Sequence, residues 1–404
     1  MTLDRPACAP HEQAVLDLID VAGLVDLTRA LVDAGGENPG GTEEQTVRVL
    51  EAAGAARGLR VTRDEVAPQR PNVDLELAPG GVVGDGPGLL FLGHSDVVPA
   101  GVGWTREPFR SVVDGGRVYG RGATDMKGGL AAAVVAMDAL RRAGVPLAGP
   151  VRLACTVDEE ETGIGIRHLT ERGLGREFAG CVVAEPTDLQ TVVACRGDAY
   201  LELTVTGVPA HSGRPEDGRN AIDAASRLLA LIRADHQEHA RTRDPLLGAA
   251  TWNVGRIEGG QATSTVAPEC RLWIDRRLMP GEDPEQILAA LLAAAGQDGI
   301  IGDGISIQGT VTMSMPGFRT PQDHPLVTAV HGAVQDVGGP GDIGGWTAAC
   351  DGGFIAQRFG VPTVVMGPGG LNDQAHQMDE SVGVDELVLA ARAYVLTALR
   401  TLTP

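Results

Sequence analysis

Lysine is all but missing from this sequence: of 33 basic residues, Lys127 stands alone and every other is arginine. A compact ammonium and a planar guanidinium are not interchangeable. The position, inside "GRGATDMKGG", is therefore read as one that rejects the arginine used elsewhere. Basic charge of either kind is scarce. Against 53 acids it leaves a net charge of −20, which argues against nucleic acid or an anionic membrane as partner, since both need a basic face. No apolar run approaches the roughly 20 residues of a membrane helix; the longest, "GGLAAAVVAMDAL", is shorter and carries Asp138. The start, "MTLDRPACAPHEQAVLDLID", lacks the basic stretch and apolar core of a secretory leader. Six cysteines fall in no C-x-x-C pair. They read as reduced thiols of a cytoplasmic protein, and a cysteine metal site is not expected. There is no internal repeat and no low-complexity tail.

What is there points to more than one core. The chain has 404 residues, 43% hydrophobic and 21% charged, the composition of a globular protein. Amphipathic helices are expected over 16–34 and 43–57, separated by the breaker "GGENPGG". "GLRVTRDEV" and "NVDLELAP" alternate like strands. Further on, "GLLFLGHSDVVP", "PVRLACTVDEEETG", "GCVVAEPTD" and "PTVVMGPGGLNDQAH" each read as an apolar strand running into polar residues. A helix is expected from about Gly128 to Arg142. Apolar strands alternating with helices argue for a mostly parallel α/β sheet. Between about Cys195 and Met315 the pattern changes to period-two strands and amphipathic helices, a compact α+β insert. The expected domains are 1–194 with 316–404, and 195–315.

In such sheets, ligands bind beyond the carboxyl ends of the strands. His94, Asp96, Glu159, Glu160, Glu185 and, more loosely, His376 all follow apolar strands. Each has a plain reading alone: a satisfied histidine, a solvated acidic turn, a loop. Four acids in a row, Asp158 to Glu161, would repel one another beside buried strands and raise one another's pKa. Imidazole and carboxylate together suit divalent metals of the zinc type. Two such ions, set against three ligand carboxylates and a bridging hydroxide, would let the acids stay ionised.

"GHSDVVP", "GRGATDMKGG", "DEEETG", "AEPTD", "AHSGRPEDGRNAI", "DRRLMPGE" and "GPGGLNDQAHQMDE", in this order, closely resemble the di-zinc deacylase and exopeptidase family. That family includes acetylornithine deacetylase, succinyl-diaminopimelate desuccinylase, aminoacylase and glutamate carboxypeptidase. The resemblance runs from about Asn38 to the C-terminus. It implies a three-layer α/β/α zinc-exopeptidase-like catalytic domain with an inserted lid and dimerisation domain. It implies a homodimer through that insert, and two divalent ions, zinc first, with cobalt or manganese also suitable. Asp125 would bridge both ions, His94 and Glu185 would bind one, and Glu160 and His376 the other. Asp96 would orient the His94 ring, and Glu159 would be the general base. Residue pattern alone does not order Glu159 against Glu160. Asp158 and Glu161 are left as loop-supporting residues. A metal-bridging water would be the nucleophile. His211, matching the "AHSG" histidine, would supply a donor to the oxyanion.

For substrate, Arg277 matches the position that binds a carboxylate, with pairing to Asp275 as the structural alternative. Asn220 and Thr265 complete the substrate-facing candidates. Thr265 stands where the family usually has Asn, and Asp351 lies in a segment near the substrate. The expected activity is amide hydrolysis that removes an acyl group from an N-acyl amino acid or related amine, in amino-acid biosynthesis. A dipeptidase or carboxypeptidase using the same centre is the alternative. A silent binding protein is disfavoured, because Glu159 and all five expected ligands are present.

Overall fold

The computed structural model describes residues 8–78 and 82–403. Residues 1–7, which carry part of the leader reading, and 79–81, where the "NVDLELAP" strand was expected to end, lie outside the described residues, as does 404. The chain divides into two compact units: Met1–Val193 with Arg319–Gly344 and Phe354–Pro404, and Ala194–Phe318 with Gly345–Gly353.

The first unit is built on a mixed sheet in the order Arg60–Ala67, Arg70–Leu77, Val151–Thr156, Gly88–His94, Phe178–Val183, Thr363–Val365, Thr191–Cys195. The four strands from Val151–Thr156 to Thr363–Val365 are mutually parallel. The flanking strands are antiparallel, so parallel pairing is narrower than the alternating pattern suggested. For the outermost pair the reason is local. Ala67 pairs with Arg70 across a two-residue turn, and a connection that short can join only antiparallel strands. Gly88–His94 is buried along its whole length.

Helices pack against this sheet. The helix expected over 16–34 is Val21–Asp33, starting later than expected, and a separate short helix, Pro10–Leu16, ends where it was to begin. Asp20 sets the start by capping it, its carboxylate accepting from Gly23 N at 3.0 Å. Leu24, Leu27 and Leu31 then form the buried stripe. Gly128–Ala143 is buried all round through Met137 and packs against Val21–Asp33 and Val384–Leu402. Small residues make close packing possible: a Cβ on Gly128 would lie 2.9 Å from Leu387 of Val384–Leu402, and one on Gly129 would lie 2.0 Å from the Ala184 oxygen at the end of Phe178–Val183.

The isolated lysine has its explanation at the start of this helix. Lys127 is fully buried. Its Nζ donates to the main-chain oxygens of Leu31, at 2.8 Å, and Gly35. Burial pushes its pKa down to about 7. Two carbonyls converging on one point suit a compact ammonium; a guanidinium would need a wider, planar set of acceptors.

The second unit has an antiparallel sheet, in the order Thr251–Gly259, Glu269–Leu278, Gly197–Thr206, Ser306–Met315. Helices Ala221–His239 and Pro284–Gln297 pack on it. Leu201, Leu203 and Val205, with Leu272 and Ile274, face them in the core, the period-two pattern of a sheet covered on one side. Asn220 caps the first helix, its side-chain oxygen accepting from Ile222 N at 2.9 Å and Asp223 N at 3.4 Å. No helix among the described residues is long and apolar enough to cross a membrane.

Candidate metal centre

The carboxyl ends of the parallel strands deliver their polar residues to one place. Asp125 lies at its middle, on the turn before the Gly128–Ala143 helix. Its Oδ1 is 3.3 Å from His94 Nε2 and its Oδ2 is 3.2 Å from His376 Nε2. Glu185 Oε1 lies 3.4 Å from His94 Nε2, and Glu160 Oε2 lies 3.2 Å from His376 Nε2. His94, Asp125 and Glu160 offer donor atoms within 4.8 Å of one another, and so do His94, Glu159 and Glu185. Glu160 therefore falls on the His376 side and Glu159 beside Glu185. His94 is buried, whereas the His376 side chain is 51% exposed, so the cluster opens to solvent on the His376 side.

Asp96 does more than face the ring. His94 Nδ1 is 3.0 Å from the main-chain oxygen of Asp96 and 3.5 Å from its carboxylate. That carboxylate accepts the backbone N–H groups of Glu159 and Glu160, both at 3.1 Å, and the side-chain amide of Asn38 at 2.9 Å. The same amide donates to Asp158 at 2.9 Å. Asp158 also pairs with Arg70 at 2.9 Å and takes the Thr162 hydroxyl and the N–H groups of Thr162 and Ile164. Arg70 holds the buried Glu43 through a forked contact. Asp158, expected only to support its loop, is the hub that fixes the acid run. Asn38, Arg70 and Glu43 were not expected at all; Asn38 sits inside a stretch that reads as mere punctuation.

A prediction follows from Asp158, which is 3% exposed at φ +65°. Asp158→Ala strips the contacts to Asn38, Arg70, Thr162 and Ile164 and puts alanine where asparagine is tolerated and alanine is strained. It should cost about 2–3 kcal/mol and lower turnover, while Asp158→Asn retains most of both. Urea unfolding alongside steady-state rates checks this.

Without a cation the cluster is poorly balanced. Burial pushes Glu185 up to about 8, despite His94 beside it. Burial and the charge of Asp125 raise Glu160. Burial would lower His94, but Glu185 and hydrogen bonds to Asp125 and Asp96 lift it well above its usual value. Hydrogen bonds to Asp125 and Glu160 lift His376 to about 10. Asp125 is held down by the two imidazoles against the effect of its own burial. At neutral pH Glu185 and His376 carry protons that an arriving cation must displace. Metal uptake should therefore release about one proton or more, and affinity should rise with pH through the neutral range. Calorimetry in two buffers of different ionisation enthalpy reads the release.

The residues fit a pair of divalent cations. The donors are imidazole nitrogens and carboxylate oxygens, the set zinc-type ions take, and the buried Oε1 of Glu160 has no hydrogen-bond partner.

In the second unit, His211 is exposed and its Nδ1 accepts from Gly213 N at 3.0 Å. The neutral ring then carries its proton on Nε2 and can donate outward. His211 and Thr265 are partners across an antiparallel bridge, and Thr265 and Asn220 line one surface depression. Arg277 forks onto Asp275 at 3.0 and 3.1 Å and reaches Asp198 at 3.4 Å. Its guanidinium already faces two acids, with Asp198 pushed up to about 7, chiefly by burial.

Residues 90–400 match the family described as Peptidase family M20/M25/M40. The chain belongs to this family. An acetylornithine deacetylase of Pectobacterium atrosepticum is 34% identical over 317 residues, 74% of this chain and 77% of that protein. Among solved structures, aminopeptidase PepT from Bacillus cereus superposes with a TM-score of 0.76 at 24% identity, covering 95% of this chain and 99% of that one. The YXEP protein of Bacillus subtilis, described as a dinuclear metal-binding peptidase, gives 0.71 at 16%, covering 94% and 97%. At these identities the structural likeness is one of fold. As an M20 protein the chain is an α/β metallohydrolase acting on amide bonds.

Proposed function

We propose that this M20 protein removes a small acyl group from the nitrogen of an amino acid or related amine, as an acetylornithine deacetylase or succinyl-diaminopimelate desuccinylase does. The observation that carries the two-cation reading is Asp125, with one oxygen 3.3 Å from His94 and the other 3.2 Å from His376. Asp125 would be shared by both ions, His94 and Glu185 would hold one, and Glu160 and His376 the other. Zinc suits the set best, with cobalt and manganese as alternatives. Bound there, such ions supply Lewis acidity and lower the pKa of water.

The chain's own groups do the rest. Glu159, held through its main chain by Asp96, takes a proton from the attacking water and passes it to the leaving amine. His211 offers its Nε2–H to the oxyanion. Arg277, Asn220 and Thr265 meet the substrate, with Arg277 giving up part of its contact to Asp275. The 195–315 segment serves as lid and dimerisation domain of a homodimer. The protein works in the cytoplasm on amino-acid biosynthesis, a reading supported by six cysteines that form no disulfide and the acetylornithine deacetylase relative.

The test is a hydrolysis panel: N-acetylornithine, N-succinyl-diaminopimelate, several N-acyl amino acids and a few dipeptides, with zinc- or cobalt-loaded protein. One acyl compound should be cleaved well above every dipeptide. Faster cleavage of dipeptides would establish the second reading, a dipeptidase or carboxypeptidase using the same centre.

A further inference from the structure

Two residues outside the ligand set tie the two ligand-bearing segments together. Glu380 lies four residues beyond His376 and is 1% exposed. Its carboxylate accepts from the backbone N–H groups of Gly122, Thr124 and Asp125 at 3.0, 2.9 and 3.0 Å. The guanidinium of Arg121, four residues before Asp125, completes it at 2.6 Å. Arg121 is 2% exposed and lies over the Trp104 ring at 5.2 Å. Its other amino group lies 3.5 Å from the main-chain oxygen of His376 and 3.4 Å from that of Ala100. Each segment thus contributes one half of an ion pair and receives contacts from the other half.

A buried ion pair is weak evidence for stability, because desolvation offsets its Coulomb energy. The directions of these contacts are more telling. Three N–H groups within the stretch from Gly122 to Asp125, all on one carboxylate, fix the peptide planes that aim both Asp125 oxygens at the two imidazoles. His376 needs such support most. It is half exposed, at φ +63°, and comes from a loop, whereas His94 ends a fully buried strand.

We propose that the Arg121–Glu380 pair is a positioning clamp that sets the Asp125 loop against the His376 loop and so controls the cation position on the His376 side. It touches neither substrate nor reacting atoms. The inference rests on the two-cation reading above.

The test is metal affinity, read without turnover. Metal-stripped parent protein and Glu380→Gln are titrated with zinc against a chromophoric chelator, and with cobalt by visible absorption. Glutamine keeps the shape but leaves one carboxylate acceptor and the charge missing. A double variant, Arg121→Met with Glu380→Gln, removes both charges and answers the question if the single variant does not fold. The parent should bind two ions. The variant should retain one at near-parental affinity and bind the second about 10- to 100-fold more weakly. The retained cobalt should show the spectrum of His376→Ala protein, which lacks the same position. Two affinities within about threefold of the parent's would overturn the clamp and leave a purely structural ion pair. Equal loss at both positions would also overturn it. A parent that takes up fewer than two ions would instead refute the two-cation reading itself.

Discussion

Glu159→Gln protein should take up as much metal as the parent and hydrolyse its best substrate about 10²- to 10⁴-fold more slowly, the usual worth of a positioned general base. The geometry makes this a sharp test. Glu159 shares one donor cluster with His94 and Glu185, while Glu160 shares another with His94 and Asp125. Both residues hang by their backbone N–H groups from the Asp96 carboxylate, so either side chain can be replaced without releasing the loop. Glu160 reaches His376 at 3.2 Å, and on that ground it is proposed as the ligand. Glu160→Gln should then lose metal first and activity as a consequence. The reverse pattern, with metal lost from Glu159→Gln and kept by Glu160→Gln, would exchange the two roles.

The second large effect is expected at Asp125. Asp125→Ala should abolish measurable activity and lower the metal content of purified protein from about two ions per chain to below one. One carboxylate facing both imidazoles cannot be lost at one position only. Its removal also frees His94 and His376 from the anion that keeps them oriented. Binding to the native state alone stabilises it by mass action: zinc at about a thousand times its Kd should add about 4 kcal/mol to the unfolding free energy of the parent. The same zinc should add next to nothing to the variant. Thermal unfolding with and without zinc measures the difference, and equal shifts in the two proteins would count against Asp125 as the shared ligand.

Much of this centre was legible because strand ends are legible. Apolar runs that stop at His94, Thr156, Val183 and Val365 announce buried strands, and buried parallel strands open at one edge. The polar residues that follow must meet there. The sheet's flanks were harder: alternation identifies Arg60–Ala67 and Arg70–Leu77 as strands, but only the two-residue turn between them dictates their antiparallel sense. The support of the site was harder still. Asn38 lies in a Gly- and Pro-rich breaker, where nothing in residue type separates a turn from a hydrogen-bond bridge between Asp96 and Asp158. Arg121 and Glu380 stand within quoted motifs, yet their pairing spans 259 positions, and sequence pattern carries no signal for a contact at that separation. Asp158 shows the same limit in reverse. Four adjacent acids look alike in sequence, and only the fold gives one of them to Arg70, one to the ligand cluster of His376 and one to Glu185's side. Substrate contacts were the least legible. Arg277 is drawn to Asp275 two residues away on its own strand, a competition that residue type alone leaves open.

The central claim is that this M20 protein is an amide hydrolase worked by two divalent cations at Asp125. The most direct measurement is a zinc titration of rigorously chelated protein, following release of free amine from the best substrate of the panel. Activity should start at background, rise with added zinc and level off at about two ions per chain. Full activity in the chelated protein, or a plateau that no amount of divalent metal produces, would contradict the account.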